Sequence, residues 1–176
     1  FLMRSEGRYY SPGSDGEYHL TRRVNVTQGT TVERMAKSCA AIFLHNRLGL
    51  DPFRVARMLL QGQYKIEDGV PFISLARLVS LGATLSGRNI TIGRATLEQL
   101  KQYLQNGPVG VHLGSHERGH YAELTGMHGG EVTIRDDGGE REITLDEFKR
   151  EWTGEIISIH DTPGIIPLTQ AEMHGI

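Results

Sequence analysis

The sequence from position 33 to position 44 reads Glu33-Arg34-Met35-Ala36-Lys37-Ser38-Cys39-Ala40-Ala41-Ile42-Phe43-Leu44. Mostly polar residues precede Cys39, and residues that favour a helix begin there. Ser38 is a suitable N-cap residue. The pattern therefore predicts that Cys39 lies in the first helical turn. Unpaired backbone N–H groups and the positive end of the helix dipole favour a thiolate there. A small buried apolar residue is the other interpretation of a lone cysteine.

Size and composition indicate a single globular domain. The chain has 176 residues, of which 38% are hydrophobic and 23% are charged. A formal net charge of -2 argues against nucleic acid or an anionic membrane as the main partner. No apolar stretch approaches the roughly 18 residues of a membrane span, and no secretory leader is visible. One cysteine cannot form an internal disulfide, so nothing in the sequence requires an oxidising compartment.

Helical patterns occupy the first half of the chain. Four helices are predicted: Ser38 to Leu48 ending at Gly49, a second after the Asp51 cap with Pro52 at its first position, a third from Pro71 to about Leu81, and a fourth capped by Thr96 and stopped before Asn106.

Strand patterns dominate the second half. Strands are predicted over 109–113, 120–126, 132–134, 141–143 and 156–159, with a turn at 136–139 and a short helix over 145–152. Helices first and antiparallel strands later predict an α+β domain over 28–160. Residues 1–27 are predicted to form an irregular arm, and residues 161–176 a C-terminal tail.

A set of motifs in the second half resembles one family. They are Gly107-Pro108-Val109-Gly110-Val111, His120-Tyr121-Ala122-Glu123-Leu124-Thr125-Gly126, Val132-Thr133-Ile134-Arg135-Asp136, Leu145-Asp146-Glu147-Phe148 and Trp152-Thr153-Gly154. Their order resembles the bacterial papain-like cysteine peptidases, in particular the C39-type (double-glycine) peptidases and related secreted effector or toxin proteases. The resemblance covers about residues 28 to 159. It implies a papain-like α+β fold with N-terminal helices packed on a C-terminal antiparallel sheet.

The resemblance also implies catalytic roles. Cys39 would be the nucleophile, His120 the general base and later acid, and Asp136, sixteen positions after His120, the residue that orients the imidazole. This is chemically sound, because an imidazolium stabilises a thiolate and a carboxylate fixes the ring. A protein or peptide substrate is implied, with no metal or organic cofactor.

The second oxyanion donor is where the chain departs from the family. The family commonly places a glutamine six residues before the cysteine, but that position here is Glu33, and the nearest glutamine is Gln28. Either Gln28 reaches in from a longer loop, which we favour, or a protonated Glu33 donates. Glu123 also departs, since the family usually has a hydrophobic residue there, and we expect a solvent-facing strand position.

Two other interpretations remain open. The segment His116-Glu117-Arg118-Gly119-His120 matches the H-E-x-x-H zinc motif, but that motif needs a helix and a third ligand, and Gly119 disfavours a helix. We therefore favour a chance match over a zinc metallopeptidase. The doubtful oxyanion donor also permits a catalytically inactive peptidase-like module that only binds peptides.

The biological setting is inferred by analogy with related proteases. An irregular arm and a first residue, Phe1, that is not Met suggest a module of a larger bacterial protein. Such a toxin or effector domain would be secreted or delivered into the reducing cytoplasm of a target cell. A dedicated inhibitor or immunity protein would then be expected as a partner.

Overall fold

The structure, a computed structural model, describes residues 31–61, 65–67, 70–114, 120–159 and 161–174. The predicted arm over 1–27 and Gln28 lie outside these ranges. None of the helices within them combines the length and the apolar character that a membrane span requires. The helices are α1 over 31–36, α2 Cys39–Leu48, α3 Pro52–Leu60, α4 Leu75–Ser86, α5 Leu97–Tyr103 followed by a 3₁₀ turn Leu104–Asn106, α6 Leu145–Glu151 and α7 Gln170–His174.

A seven-stranded antiparallel sheet forms the other half of the fold. The described residues contain, in this sheet and in a separate hairpin, the strands β1 Lys65–Glu67, β2 Val70–Phe72, β3 Thr91–Arg94, β4 Val109–Leu113, β5 His120–His128, β6 Glu131–Asp136, β7 Gly139–Thr144, β8 Trp152–Ser158 and β9 Ile166–Pro167. Their order in the large sheet is β7-β6-β5-β4-β8-β3-β9, and β1 and β2 form a separate hairpin. The predicted α+β class is confirmed.

Helices cover both faces of the large sheet and divide the core in two. On one face α2, α3 and α4 bury a cluster that includes Phe43 and Leu59 and reaches Tyr121 and Ile157 of the sheet. On the other face α5 and α6 bury Leu100 and Phe148 against strand residues. Because each strand presents alternate side chains to the two faces, both clusters draw on the same strands.

Local capping signals place the helix that carries Cys39. Ser38 is its N-cap, and the hydroxyl accepts a hydrogen bond from the Ala41 N–H at 3.3 Å. Gly49 ends it in the left-handed conformation, with φ 71°. The following helix begins as predicted, with the Asp51 carboxylate accepting from the Phe53 N–H and with Pro52 first.

The predicted start of the third helix is wrong. Pro71 lies in β2, which pairs with β1, and the helix begins only at Leu75 and continues through Ser86. Ser74 supplies the cap, since its hydroxyl accepts from the Arg77 N–H at 3.2 Å. The apolar residues after Pro71 suit either a strand or a helix, and the hairpin partner decides between them.

The sheet contains two strands that the sequence patterns did not predict, β3 and β9, and β8 begins four residues earlier than expected. β3 is only four residues long and lies between β8 and β9. Trp152, predicted as the end of a helix, is the first residue of β8, although its ring still stacks on Phe148 of α6 at 5.7 Å.

The segment 161–174, predicted as a tail, packs against the domain in this structure. β9 pairs with β3 through Gly93 and Arg94. Leu168 and Met173 are buried in the same cluster as the helices α2 to α4. Short elements such as these carry little pattern of their own, so their position depends on the strand and helices they contact.

Candidate active site

Cys39 is the first residue of α2 and is half-buried. The turn before it is fixed by Ser38, whose hydroxyl donates to the Met35 carbonyl at 2.6 Å while it caps the helix. Cys39 therefore lies where backbone N–H groups have no acceptor inside the helix. This position stabilises negative charge on the sulfur and on any oxyanion formed beside it.

His120 is the first residue of β5, opposite Leu113 of β4, and it joins the other two predicted residues. Its Nε2 lies 2.9 Å from Oδ2 of Asp136. Cys39 lies close enough to the imidazole for its side chain to raise the pKa of His120. The structure thus brings Cys39, His120 and Asp136 together at one site.

Asp136 is the last residue of β6 and is buried. Its Oδ1 accepts from the Gly138 N–H at 2.9 Å, and its Oδ2 accepts from Arg141 Nη2 at 3.1 Å as well as from His120. Burial opposes the charge, but the hydrogen bonds from His120, Gly138 and Arg141 outweigh it and lower the pKa of Asp136. Asp136 is therefore a fixed carboxylate.

His120 is held in its charged form. Burial alone lowers its pKa, but the hydrogen bond and charge of Cys39, the hydrogen bond of Asp136 and the charge of Asp137 raise it from 6.5 to about 9. A protonated imidazole at neutral pH stabilises a thiolate beside it and can later donate a proton.

Asp137 adds a second carboxylate to the imidazole. Its Oδ1 lies 3.5 Å from His120 Nε2, and the side chain is 36% exposed. His120, Asp136 and Asp137 could each offer one ligand atom to a metal ion, with these atoms within 4.8 Å of one another. The hydrogen bond between His120 and Asp136 already uses Nε2.

Part of the H-E-x-x-H motif lies outside the described residues, which resume at His120. That histidine begins a β-strand, whereas the zinc motif needs its second histidine on the same helix face as the first. The strand position of His120 favours its pairing with Asp136.

Of the two candidate oxyanion donors, Glu33 lies within the described residues. Glu33 lies on α1 with an exposed side chain, and its carbonyl accepts from the Lys37 N–H. Gln28 lies outside the described residues. The assignment of either side chain to the oxyanion stays a prediction.

The expectation that Glu123 faces solvent is wrong. Its side chain is 2% exposed, on the face of β5 that α2 covers. Arg47 Nη1 of α2 contacts Oε2 at 3.2 Å, and Arg135 of β6 contacts Oε1 through Nε at 2.9 Å. The acid is tolerated inside the protein because two guanidinium groups neutralise it.

Buried polar residues beside the candidate triad were not predicted from the sequence. His112 Nδ1 lies 2.9 Å from Glu155 Oε1, with both side chains buried, and the His112 ring stacks on Tyr121. The Tyr121 hydroxyl donates to the Ile73 carbonyl. Burial first, and then the charges of Cys39 and Glu155, raise the pKa of Tyr121. The sequence also did not predict the position of Arg141 at the site, because its contact with Asp136 depends on the register of the β6–β7 hairpin.

The fold is similar to that of C39-type papain-like peptidase domains of known structure. A double-glycine motif protease from an AMS/PCAT transporter, crystallised with the leader peptide, has a TM-score of 0.51 at 23% identity, over 76% of this chain and 86% of that chain. The peptidase domain of Streptococcus ComA, a bifunctional ABC transporter, has a TM-score of 0.51 at 19% identity, over 69% and 90%. No protein-family model and no curated protein matches the sequence. The predicted papain-like fold is confirmed.

Proposed function

We propose that this chain is a cysteine endopeptidase that hydrolyses peptide bonds through Cys39, His120 and Asp136. The observation that carries the proposal is the convergence of the three side chains: His120 Nε2 lies 2.9 Å from Asp136 Oδ2, and Cys39, at the start of a helix, lies close enough to raise the pKa of His120. The C39-type fold supports it, because peptidase domains share that architecture.

The geometry supports a two-stage acyl transfer. The Cys39 thiolate attacks the peptide carbonyl, and the developing oxyanion accepts a hydrogen bond from the backbone N–H at the start of α2. The His120 imidazolium donates its proton to the leaving amine as the C–N bond breaks, and a thioester remains on Cys39. Neutral His120 then takes a proton from water, hydroxide adds to the thioester, and the thiolate leaves as the imidazolium is restored. Asp136 keeps the ring aligned in both stages.

The substrate and the setting belong to the same proposal. The AMS/PCAT protease was crystallised with a leader peptide, so a peptide segment of a protein is the proposed substrate here. We further propose a toxin or effector role in which a larger bacterial protein delivers the domain into a target cell, with an inhibitor or immunity protein as its partner. The second oxyanion donor would be Gln28 or Glu33.

The first experiment measures alkylation by iodoacetamide from about pH 4 to pH 9, followed by intact mass. Because Cys39 is the only cysteine, each mass increase reports on it. We expect native protein to react well below pH 8.5, near which a free thiol ionises, and His120→Ala to lose that low-pH reaction. His128→Ala, an exposed histidine at the end of β5, is the matched control. A native profile equal to that of the denatured chain would identify a structural cysteine.

The second experiment tests cleavage. The protein is incubated with a peptide library derived from a bacterial proteome, and new termini are identified by mass spectrometry. Cleavage that Cys39→Ala abolishes supports the peptidase. Cleavage that persists in Cys39→Ala and stops with EDTA would overturn it in favour of the zinc enzyme. Retention of peptides without cleavage would support the inactive binding module.

A further inference from the structure

We propose that Asp137, which contacts His120, and the oppositely charged Arg141, which contacts Asp136, are positioning residues that set the protonation and orientation of His120. The inference rests on the proposed peptidase function and adds two residues to its site. Neither residue is needed to complete the nucleophile, base and carboxylate. From the hairpin that follows Asp136, Asp137 contacts His120 and Arg141 contacts Asp136.

The hairpin geometry places the two charges at the site. β6 ends at Asp136 and β7 begins at Gly139, and these two residues pair across the hairpin, so Asp137 lies in the turn itself. Its Oδ1 is 3.5 Å from His120 Nε2, the nitrogen that bonds Asp136. The imidazole N–H therefore faces two carboxylates from consecutive residues.

Arg141 approaches the same carboxylate from the neighbouring strand. It pairs with Ile134, so it lies diagonally across the hairpin from Asp136, within reach of a long side chain. Its Nη2 is 3.1 Å from Asp136 Oδ2, the oxygen that also accepts from His120. One carboxylate oxygen is thus shared by the catalytic imidazole and a guanidinium.

The two charges act on His120 in opposite directions. Asp137 favours the imidazolium directly. Arg141 neutralises part of the Asp136 charge and so weakens the pull of that carboxylate on the imidazolium, while it keeps Asp136 ionised and oriented. Among the described residues, the charged and titratable groups that face His120 are Cys39 from α2, Asp136 from β6, Asp137 from the turn and, through Asp136, Arg141 from β7.

Partial exposure limits the size of the effect. Asp137 is 36% exposed and Arg141 is 49% exposed, so water and salt screen both charges. We expect each to move the titration midpoint of His120 by about half a pH unit to one pH unit at low salt, and by less at about 0.5 M NaCl.

The test is a titration of His120 by NMR in the full chain. Its imidazole C–H signal is assigned as the one missing from His120→Ala and is followed from about pH 5.5 to pH 10.5. We expect Asp137→Asn to lower the midpoint and Arg141→Gln to raise it. Arg141→Lys restores the charge and should return the midpoint most of the way to the wild-type value, which a purely structural role would not require.

Two control variants carry the same charge changes away from the site. Glu142→Gln alters an exposed acid on the opposite face of β7, and Arg150→Gln alters an exposed base on α6. Midpoints that move no further than in these controls, or that move in the same direction in both test variants, would overturn the proposal. If wild type shows no cleavage that depends on Cys39, the peptidase function fails, and the midpoints still decide whether the two residues act on His120.

Discussion

Arg47 and Glu123 join the helix that begins at Cys39 to the strand that begins at His120. Arg47 Nη1 lies 3.2 Å from Glu123 Oε2, and the two side chains are 6% and 2% exposed. The same guanidinium contacts Asp161 and the Pro108 carbonyl. This buried ion pair is therefore a contact between the two elements that carry the proposed nucleophile and base.

Loss of the Glu123 charge is expected to destabilise the protein. Glu123→Gln leaves the buried Arg47 with only the partly exposed Asp161 as a carboxylate partner, and we expect a loss of about 2 kcal/mol in the free energy of unfolding. Arg135→Gln removes the other partner, which is 42% exposed, and should cost less than about 1 kcal/mol. Urea unfolding measures both, and equal small losses would contradict the importance of the buried pair.

Gly110 allows α2 to lie close to the sheet. A Cβ at this position would lie 2.8 Å from Cζ of Phe43 and 2.7 Å from the Ile157 carbonyl oxygen. Gly110→Ala should therefore force α2 and β8 apart and reduce the free energy of unfolding by about 2 kcal/mol. The matched control is Gly130→Ala, where a Cβ meets no atom within 4 Å. Equal unfolding midpoints in urea for the two variants would show that α2 can shift without cost.

The raised pKa of His120 predicts how stability depends on pH. The folded value is about 9 and the ordinary value is 6.5, so the folded state binds more protons between these limits. The contribution of His120 is fully present below pH 6.5 and is lost as the pH rises through 9. Unfolding in urea should show this decline in wild type and a smaller one in His120→Ala. A decline of the same size in both proteins would assign it to other groups.

The two oxyanion candidates predict different kinetic effects. We expect Gln28→Ala to lower kcat by about 10²- to 10³-fold, since a lost donor destabilises the tetrahedral intermediate. Glu33→Ala should leave kcat nearly unchanged, because the side chain is exposed on α1. Kinetics on the peptide identified by the library decide between them, and the reverse pattern would assign the role to Glu33.

Local sequence determined several of the helix starts and the turn between Asp136 and Gly139. Ser38, Asp51 and Thr96 each cap a helix as predicted, because a side-chain oxygen needs only its own neighbours to accept their N–H groups. The strand over 109–113 was also predicted with its observed bounds. The candidate triad came from the resemblance of the motif order to that of the C39-type peptidases, before any distance was known.

Tertiary structure alone decided the contacts between distant segments. Pro71 joined a hairpin because β1 was available as a partner, and Glu123 became buried because α2 brought Arg47 over it. Arg141 reached Asp136 only through the register of β6 and β7. The residue type fixes whether a side chain can carry a charge. Its burial and its partner depend on packing, because they are set by residues that lie far away along the chain.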